Sequence, residues 1–176
     1  MIKNRIELAK YFNKMGFSVG AEIGVADGYY SEILCQEIPE LKLYSIDLWK
    51  PYNNSWRTQN SQDKAYSQAC KKLTKYNVEI RKQSSVEASL EINNLDFVFI
   101  DGCHTFDNVM LDIILWSNNV KKGGIVSGHD YCHFTKSCVI EAVNKYTEIH
   151  KIELNLTPRN KKGYKDDRQP CWWFIK

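Results

Sequence analysis

Hydrophobic positions along this chain change their period several times. An opening stretch, residues 6–15, reads as a helix; after it, short β-branched runs alternate with longer amphipathic segments. A strand covered on both faces reads as a short apolar run, and a covering helix repeats about every 3.6 residues, so the alternation predicts a parallel sheet flanked by helices. The strands fall at residues 19–24, 43–47, 78–83, 96–101 and 124–129, and the helices near 29–38, 62–75, 106–118 and 135–146. Two further strand-like runs, 149–154 and 172–175, are joined by a polar stretch rather than a helix. That pattern predicts an antiparallel closing hairpin with a long connection. No repeat, low-complexity tract or Pro-Gly-Ser linker divides the chain, so residues 1–176 are read as one domain. The expected architecture is an α/β, Rossmann-like doubly wound fold in three layers. Its seven-stranded sheet is mostly parallel, with an antiparallel last strand.

Two connections are long. Residues 49–61 hold Pro51, three asparagines and two tryptophans, and residues 155–170 are basic. Such segments in a compact domain serve as lids or binding surfaces. Ligands of open parallel sheets sit beyond the carboxyl ends of the strands, so chemistry is expected just after each strand. Composition narrows the field. The chain is 43% hydrophobic and 26% charged, and no stretch stays apolar for the roughly 18 residues that a membrane span needs. Its charged start, Met1-Ile2-Lys3-Asn4-Arg5, lacks the apolar core of a secretory signal, and the expected location is the cytoplasm. Six cysteines, at 35, 70, 103, 132, 138 and 171, are too scattered for a zinc or redox pair and are expected mostly as buried small hydrophobes. A net charge of +3 does not announce nucleic acid. Lys161, Lys162, Lys165 and Arg168 nevertheless crowd one late segment, which either attracts an anionic substrate or is a solvated loop.

The first strand runs into Glu22-Ile23-Gly24-Val25-Ala26-Asp27-Gly28, and Tyr29 opens a helix. Glycines here let the backbone turn tightly and approach a ligand. A dinucleotide turn, G-x-G-x-x-G, is not met, because Ala26 and Tyr29 stand at its second and third glycines. Asp27 at a helix N-terminus would repel a diphosphate, whereas Glu22 and Asp27 would draw a ligand bearing sulfonium and ammonium groups. Asp47 follows Gly24 by 23 residues and ends the second strand, where a carboxylate can accept hydrogen bonds from two ribose hydroxyls. The motif E-x-G-x-x-x-G, with an acidic residue ending strand two, resembles the class I S-adenosylmethionine-dependent methyltransferases. The resemblance covers nearly the whole chain. It implies that S-adenosylmethionine is the cofactor, that Glu22, Gly24 and Gly28 line its methionine and ribose parts, and that Asp47 grips the ribose. Ser84 or Ser85, after the third strand, would meet the adenine. The competing reading is a plain strand-to-helix turn with surface carboxylates.

The fourth strand ends in Asp101-Gly102-Cys103-His104, and the fifth in Gly128-His129-Asp130-Tyr131. Neighbouring parallel strands lie about 4.8 Å apart, so Asp101 and the His129-Asp130 pair can meet above the sheet and hold a divalent ion. The pattern I-D-G-x-H, then G-G-x-x-x-G-H-D-Y, is similar to the O-methyltransferase branch that includes the catechol, caffeoyl-coenzyme A and macrocin types. That resemblance implies a metal, magnesium or manganese, on Asp101, His129 and Asp130, with Asp101 also bordering the cofactor. His129 stands where metal-binding relatives carry a carboxylate, and imidazole suits zinc, iron or manganese better than magnesium. His104 takes the position of a lysine proposed as general base, so His104 and Asp101 are the expected catalytic pair. The plainer reading has His104 capping a helix or bonding a carbonyl. Trp49, Tyr52 and Trp56 either cover the ligand or pack their loop, Tyr131 faces the same choice, and Trp172 and Trp173 are read as last-strand residues of which one is buried.

These features predict methyl transfer to an oxygen of a small hydroxylated molecule or sugar. Two competitors remain: a nucleic-acid base methyltransferase using the basic late segment, and a non-catalytic module that only binds the cofactor. The first lacks the Asn/Asp-Pro-Pro-Tyr-like motif of amino-group methylation after strand four.

Overall fold

The computed structural model describes residues 2–52, 57–133, 137–159 and 168–176. In chain order the elements are α1 (Arg5–Lys14), β1 (Val19–Ile23), α2 (Tyr29–Glu37), β2 (Lys42–Ile46), α3 (Gln59–Leu73), β3 (Val78–Arg81) and α4 (Ser85–Glu91). They continue with β4 (Leu95–Ile100), α5 (Phe106–Asn119), β5 (Val120–Gly128), α6 (Val139–His150), β6 (Asn155–Leu156) and β7 (Trp172–Ile175). One seven-stranded sheet has the order β3-β2-β1-β4-β5-β7-β6. Strands β1 to β5 are parallel, and β7 inserts antiparallel between β5 and β6.

Alternation along β4 shows how the layers form. Phe97 and Phe99 face α1 and α2, packing with Phe12, Tyr30 and Leu34, while Val98 and Ile100 face α5 and α6 with Ile113, Trp116 and Ala142. Successive strand residues point to opposite faces, so a run of six buried or half-buried residues serves two cores at once. At the amino edge of the sheet, Asp96 ties three strands together. Its Oδ2 accepts the Ser18 and Val19 amides, and its Oδ1 accepts from Lys121 Nζ at 2.7 Å.

The expected doubly wound, three-layer architecture is the observed one, with local corrections. Residues 149–150 finish α6 rather than begin a strand. Lys151 then turns in the left-handed region at φ 55°, and β6 is confined to two residues. A helix absent from the expectation, α4, follows β3. Ser84 accepts the Glu87 amide and Glu87 reaches back to the Ser84 amide, a reciprocal cap that Ser84-Ser85-Val86-Glu87 spells out. Helix α3 begins three residues earlier than the apolar pattern indicates, because Thr58 caps it by accepting from the Ser61 amide. Only Cys35 and Cys171 are buried, the other four cysteines being partly exposed, so the expectation of mostly buried thiols fails. Trp172 is buried and Trp173 only half-buried, as neighbouring strand positions require. No helix among the described residues is long and apolar enough to cross a membrane.

Candidate active site

The carboxyl ends of β1, β2, β3, β4 and β5 open into one cleft of about 750 Å³. At its centre is the turn after β1. Gly24 has φ 90°, and a Cβ there would stand 2.2 Å from the Asp101 carbonyl oxygen, so only glycine lets the ends of β1 and β4 close together. Gly28, also left-handed at φ 78°, starts α2 but faces α3, where a Cβ would be 3.1 Å from Ala69 Cα. Gly24 lines the cleft; Gly28 shapes the turn from behind.

Glu22 lies at the floor, 2% exposed, and accepts a hydrogen bond from the Ser31 hydroxyl, which is itself 3.0 Å from Ser45 Oγ. Burial pushes its pKa up to about 8, the Ser31 bond offsetting only part, so Glu22 is protonated in the ligand-free protein at neutral pH. The anionic charge therefore comes from other residues. Asp47 ends β2 as expected and organises two turns: its Oδ2 accepts the Ala26 amide at 3.0 Å and its Oδ1 the Trp49 amide at 2.8 Å. Each oxygen keeps a lone pair for a further donor. Asp27 is partly neutralised by Lys72 at 3.3 Å.

At the other end stand the residues following β4 and β5. His104 Nε2 lies 3.6 Å from Asp101 Oδ1 and 3.4 Å from Asp130 Oδ2, and donor atoms of these three residues fall within 4.8 Å of one another. His129, 6% exposed, backs the same carboxylates, its Nδ1 3.2 Å from Asp130 Oδ1 and 3.7 Å from Asp101 Oδ2. It is not in the close three-residue group. Burial alone would lower both histidine pKa values, but the facing carboxylates outweigh it and raise them. Burial likewise works to raise Asp101, and the two histidines overcome it to hold its pKa below the usual carboxylate value. Asp130 takes a left-handed φ of 54°, a conformation that costs about 1 kcal/mol or more and aims its carboxylate at His104. Ala26, which lines the cleft, and the buried Trp49 carry the same strain, at φ 51° and 45°.

All the expected cofactor and catalytic residues except Gly28 line this cleft: Glu22, Gly24, Asp47, Ser84, Ser85, Asp101 and His104, joined by His129 and Asp130. The aromatic residues divide. Trp49 is fully buried, its indole N–H donating to the Ala26 carbonyl at 2.8 Å and its ring against Tyr66, so it anchors the loop. Tyr52 is 50% exposed and lines the cleft, and Tyr131 donates its hydroxyl hydrogen to Asn144. Trp56, Lys161, Lys162 and Lys165 lie outside the described residues; Arg168 is exposed. Sequence reasoning missed Arg5, Gln83 and Asp112, which also face the cleft. No local motif marks them: Arg5 comes in on α1 and Asp112 on α5, while Gln83 lies in the connection between β3 and α4.

A doubly wound sheet with a carboxylate-lined cleft beyond its strand ends defines a Rossmann-like α/β protein, and the cleft opens at the switch point between β1 and β4, where such folds take their ligands. A family model described as a methyltransferase domain matches residues 21–131, and the chain belongs to that family. Solved structures share the fold at low identity. An O-methyltransferase from Bacillus cereus in complex with SAH is 14% identical, with 98% of this chain and 80% of that chain covered and a TM-score of 0.72. An rRNA methylase from Streptococcus thermophilus is also 14% identical, with 100% and 98% covered and a TM-score of 0.68. The O-methyltransferase TomG from Streptomyces achromogenes, in complex with SAM, is 14% identical, with 98% and 79% covered and a TM-score of 0.69. No curated protein matches the chain by sequence.

Proposed function

We propose that this protein transfers the methyl group of S-adenosylmethionine to a hydroxyl oxygen of a small molecule or sugar. The observation that carries the reading is the meeting of His104 with Asp101 and Asp130 in the same cleft as Asp47 and Gly24. S-adenosylmethionine supplies an electrophilic methyl carbon on a good leaving group, so the protein needs only to align and deprotonate the acceptor. Asp47 accepts from the ribose hydroxyls, and the bare backbone at Gly24 allows close approach. His104 takes the acceptor's proton on its imidazole, and the two carboxylates stabilise the imidazolium that results. The acidic lining suits a sulfonium and an ammonium better than a diphosphate.

Two carboxylates and an imidazole within 4.8 Å also fit a divalent ion of the manganese type better than magnesium. Such an ion supplies Lewis-acid polarisation of the acceptor hydroxyl. Asp101 and Asp130 would hold it, with His104 as the imidazole in reach and His129, implied by the resemblance, as the alternative donor through Nδ1. A ligand His104 is no longer a free base, so the two roles exclude each other. Manganese titration of wild type, His104→Ala and His129→Ala separates them by which substitution lowers metal affinity.

Calorimetric titration tests the main reading. S-adenosylmethionine and S-adenosylhomocysteine are expected to bind and a nicotinamide dinucleotide is not; the reverse result removes the cofactor assignment. In an acceptor panel of phenols, catechols and sugars, His104→Ala is expected to lower turnover about 100-fold or more with cofactor affinity unchanged. A nucleic-acid base is the competing acceptor, favoured by the likeness to an rRNA methylase. Salt-dependent oligonucleotide binding together with methylation of the oligonucleotide would establish it.

A further inference from the structure

The cleft has a second polar corner, made by Ser85 in the first turn of α4, Gly102 after β4 and Asp112 in α5. The role of Asp112 in the fold is poor. It lies on the buried side of α5 with Val109, Ile113 and Trp116, and is 7% exposed. Burial pushes its pKa up to about 6, Ser85 offsets only part, and no lysine or arginine among the described residues helps to hold its charge. A carboxylate kept in such a place without a cation costs stability, so a partner for it is to be sought in the cleft.

The hydrogen bonds around it have a fixed direction. The Trp116 indole N–H donates to Ser85 Oγ at 2.7 Å, and Ser85 donates its one hydrogen to Asp112 Oδ1 at 2.5 Å. Ser85 thus has no hydrogen left for a ligand. Asp112 Oδ2 accepts no hydrogen bond among the described residues, and it faces Gly102 after β4: a Cβ built there would lie 3.6 Å from it, at ordinary contact distance. The cleft lining also includes Val86 and Leu111, the chain neighbours of Ser85 and Asp112, both exposed and apolar. Apolar walls ending in a lone acceptor suit a flat ring bearing an N–H donor.

We propose that Asp112 selects the base of the bound nucleoside, its Oδ2 accepting from the exocyclic amine of a 6-aminopurine. This rests on the cofactor reading above and assigns that site a residue which no motif marks. A 6-oxopurine would set its carbonyl oxygen against Oδ2, two acceptors facing each other, and be rejected. The Trp116–Ser85 relay acts on Asp112 by holding the carboxylate in place; those two are positioning residues.

The test compares S-adenosylhomocysteine with its deaminated counterpart, S-inosylhomocysteine, by calorimetry. Wild type is expected to bind the adenosyl form at least about tenfold more tightly. The near-isosteric Asp112→Asn offers an amide N–H to the 6-oxo oxygen and is expected to narrow or reverse that ratio. Asp47→Asn, acting at the ribose, weakens both ligands alike. A purely structural role for Asp112 would change both affinities together and leave their ratio as in wild type, which overturns the proposal. So does a wild type that binds both forms equally, a result needing no variant to fold. If wild type binds neither, the cofactor reading itself falls, and this inference with it.

Discussion

Two carboxylates show how burial, not residue type, sets the protonation of an acidic group. Glu22 has its pKa raised to about 8 by burial, so the folded protein keeps a proton that the unfolded chain releases above about 4.5. The sign follows: this stability is fully present below the unfolded value and is lost as pH rises through about 8. Denaturant titrations at pH 5 and pH 9 are expected to show wild type losing on the order of a few kcal/mol across that window. Glu22→Gln should lack most of that loss. Asp96 behaves in the opposite sense. Burial works to raise its pKa, but Lys121 and the Ser18 and Val19 amides outweigh it and lower the pKa overall. Its contribution is present above the unfolded value and disappears as pH falls through the folded one. Asp96→Asn is therefore expected to destabilise by about 1–3 kcal/mol at pH 7, with the difference from wild type shrinking in acid. The E-x-G pattern made the place of Glu22 legible; its proton was not, because its burial to 2% exposure depends on the packing around the strand end and outweighs the Ser31 hydrogen bond.

Among the elements, those with local signals were legible and those decided by neighbours were not. Strands β1, β2, β4 and β5 show in the β-branched runs because both of their faces are buried. Residues 149–154 carry the same kind of run, yet α6 continues to His150, whose ring lies tilted against Tyr146 one turn earlier. The helix runs on through exposed Ile149 and His150 until Lys151 turns left-handed, so continuation of α6 overrides strand propensity there. The loop after β2 was read as a lid in which tryptophan either covers ligand or packs; Trp49 packs, filling a small core with Val25 and Ala69. Trp49→Ala is expected to cost about 3–5 kcal/mol in urea unfolding, and to weaken cofactor binding by loosening the Asp47 turn, which the indole N–H pins to the Ala26 carbonyl. Loss of stability with unchanged affinity would show that the turn holds itself.

At the scale of the whole molecule, the sheet order brings together groups far apart in the chain. Asp101 and Asp130 end neighbouring strands, the register pairing Ile100 with Gly128, so their side chains converge on His104. The convergence predicts a division of labour along the cleft. Were an ion held by Asp101 and Asp130, a strong chelator would lower methylation of a hydroxylated acceptor and added manganese would restore it. Affinity for S-adenosylhomocysteine should stay within about twofold, since among the described residues Asp47 and Gly24 are not in the close group of Asp101, His104 and Asp130. Unchanged methylation after chelation would remove the metal and leave His104 as the base.

By itself the sequence determined the alternation of strands and helices, the glycine turn after β1, and the acidic residues that close β2, β4 and β5. Periodicity, capping and turn chemistry act over a few neighbouring residues and are written in the chain. Only the tertiary structure decided that Glu22 keeps its proton, that Trp49 anchors rather than covers, that His104 lies between two carboxylates, and that Asp112 reaches the cleft. Those outcomes depend on distance and desolvation between residues tens of positions apart, which strand register and helix packing set and no local pattern records.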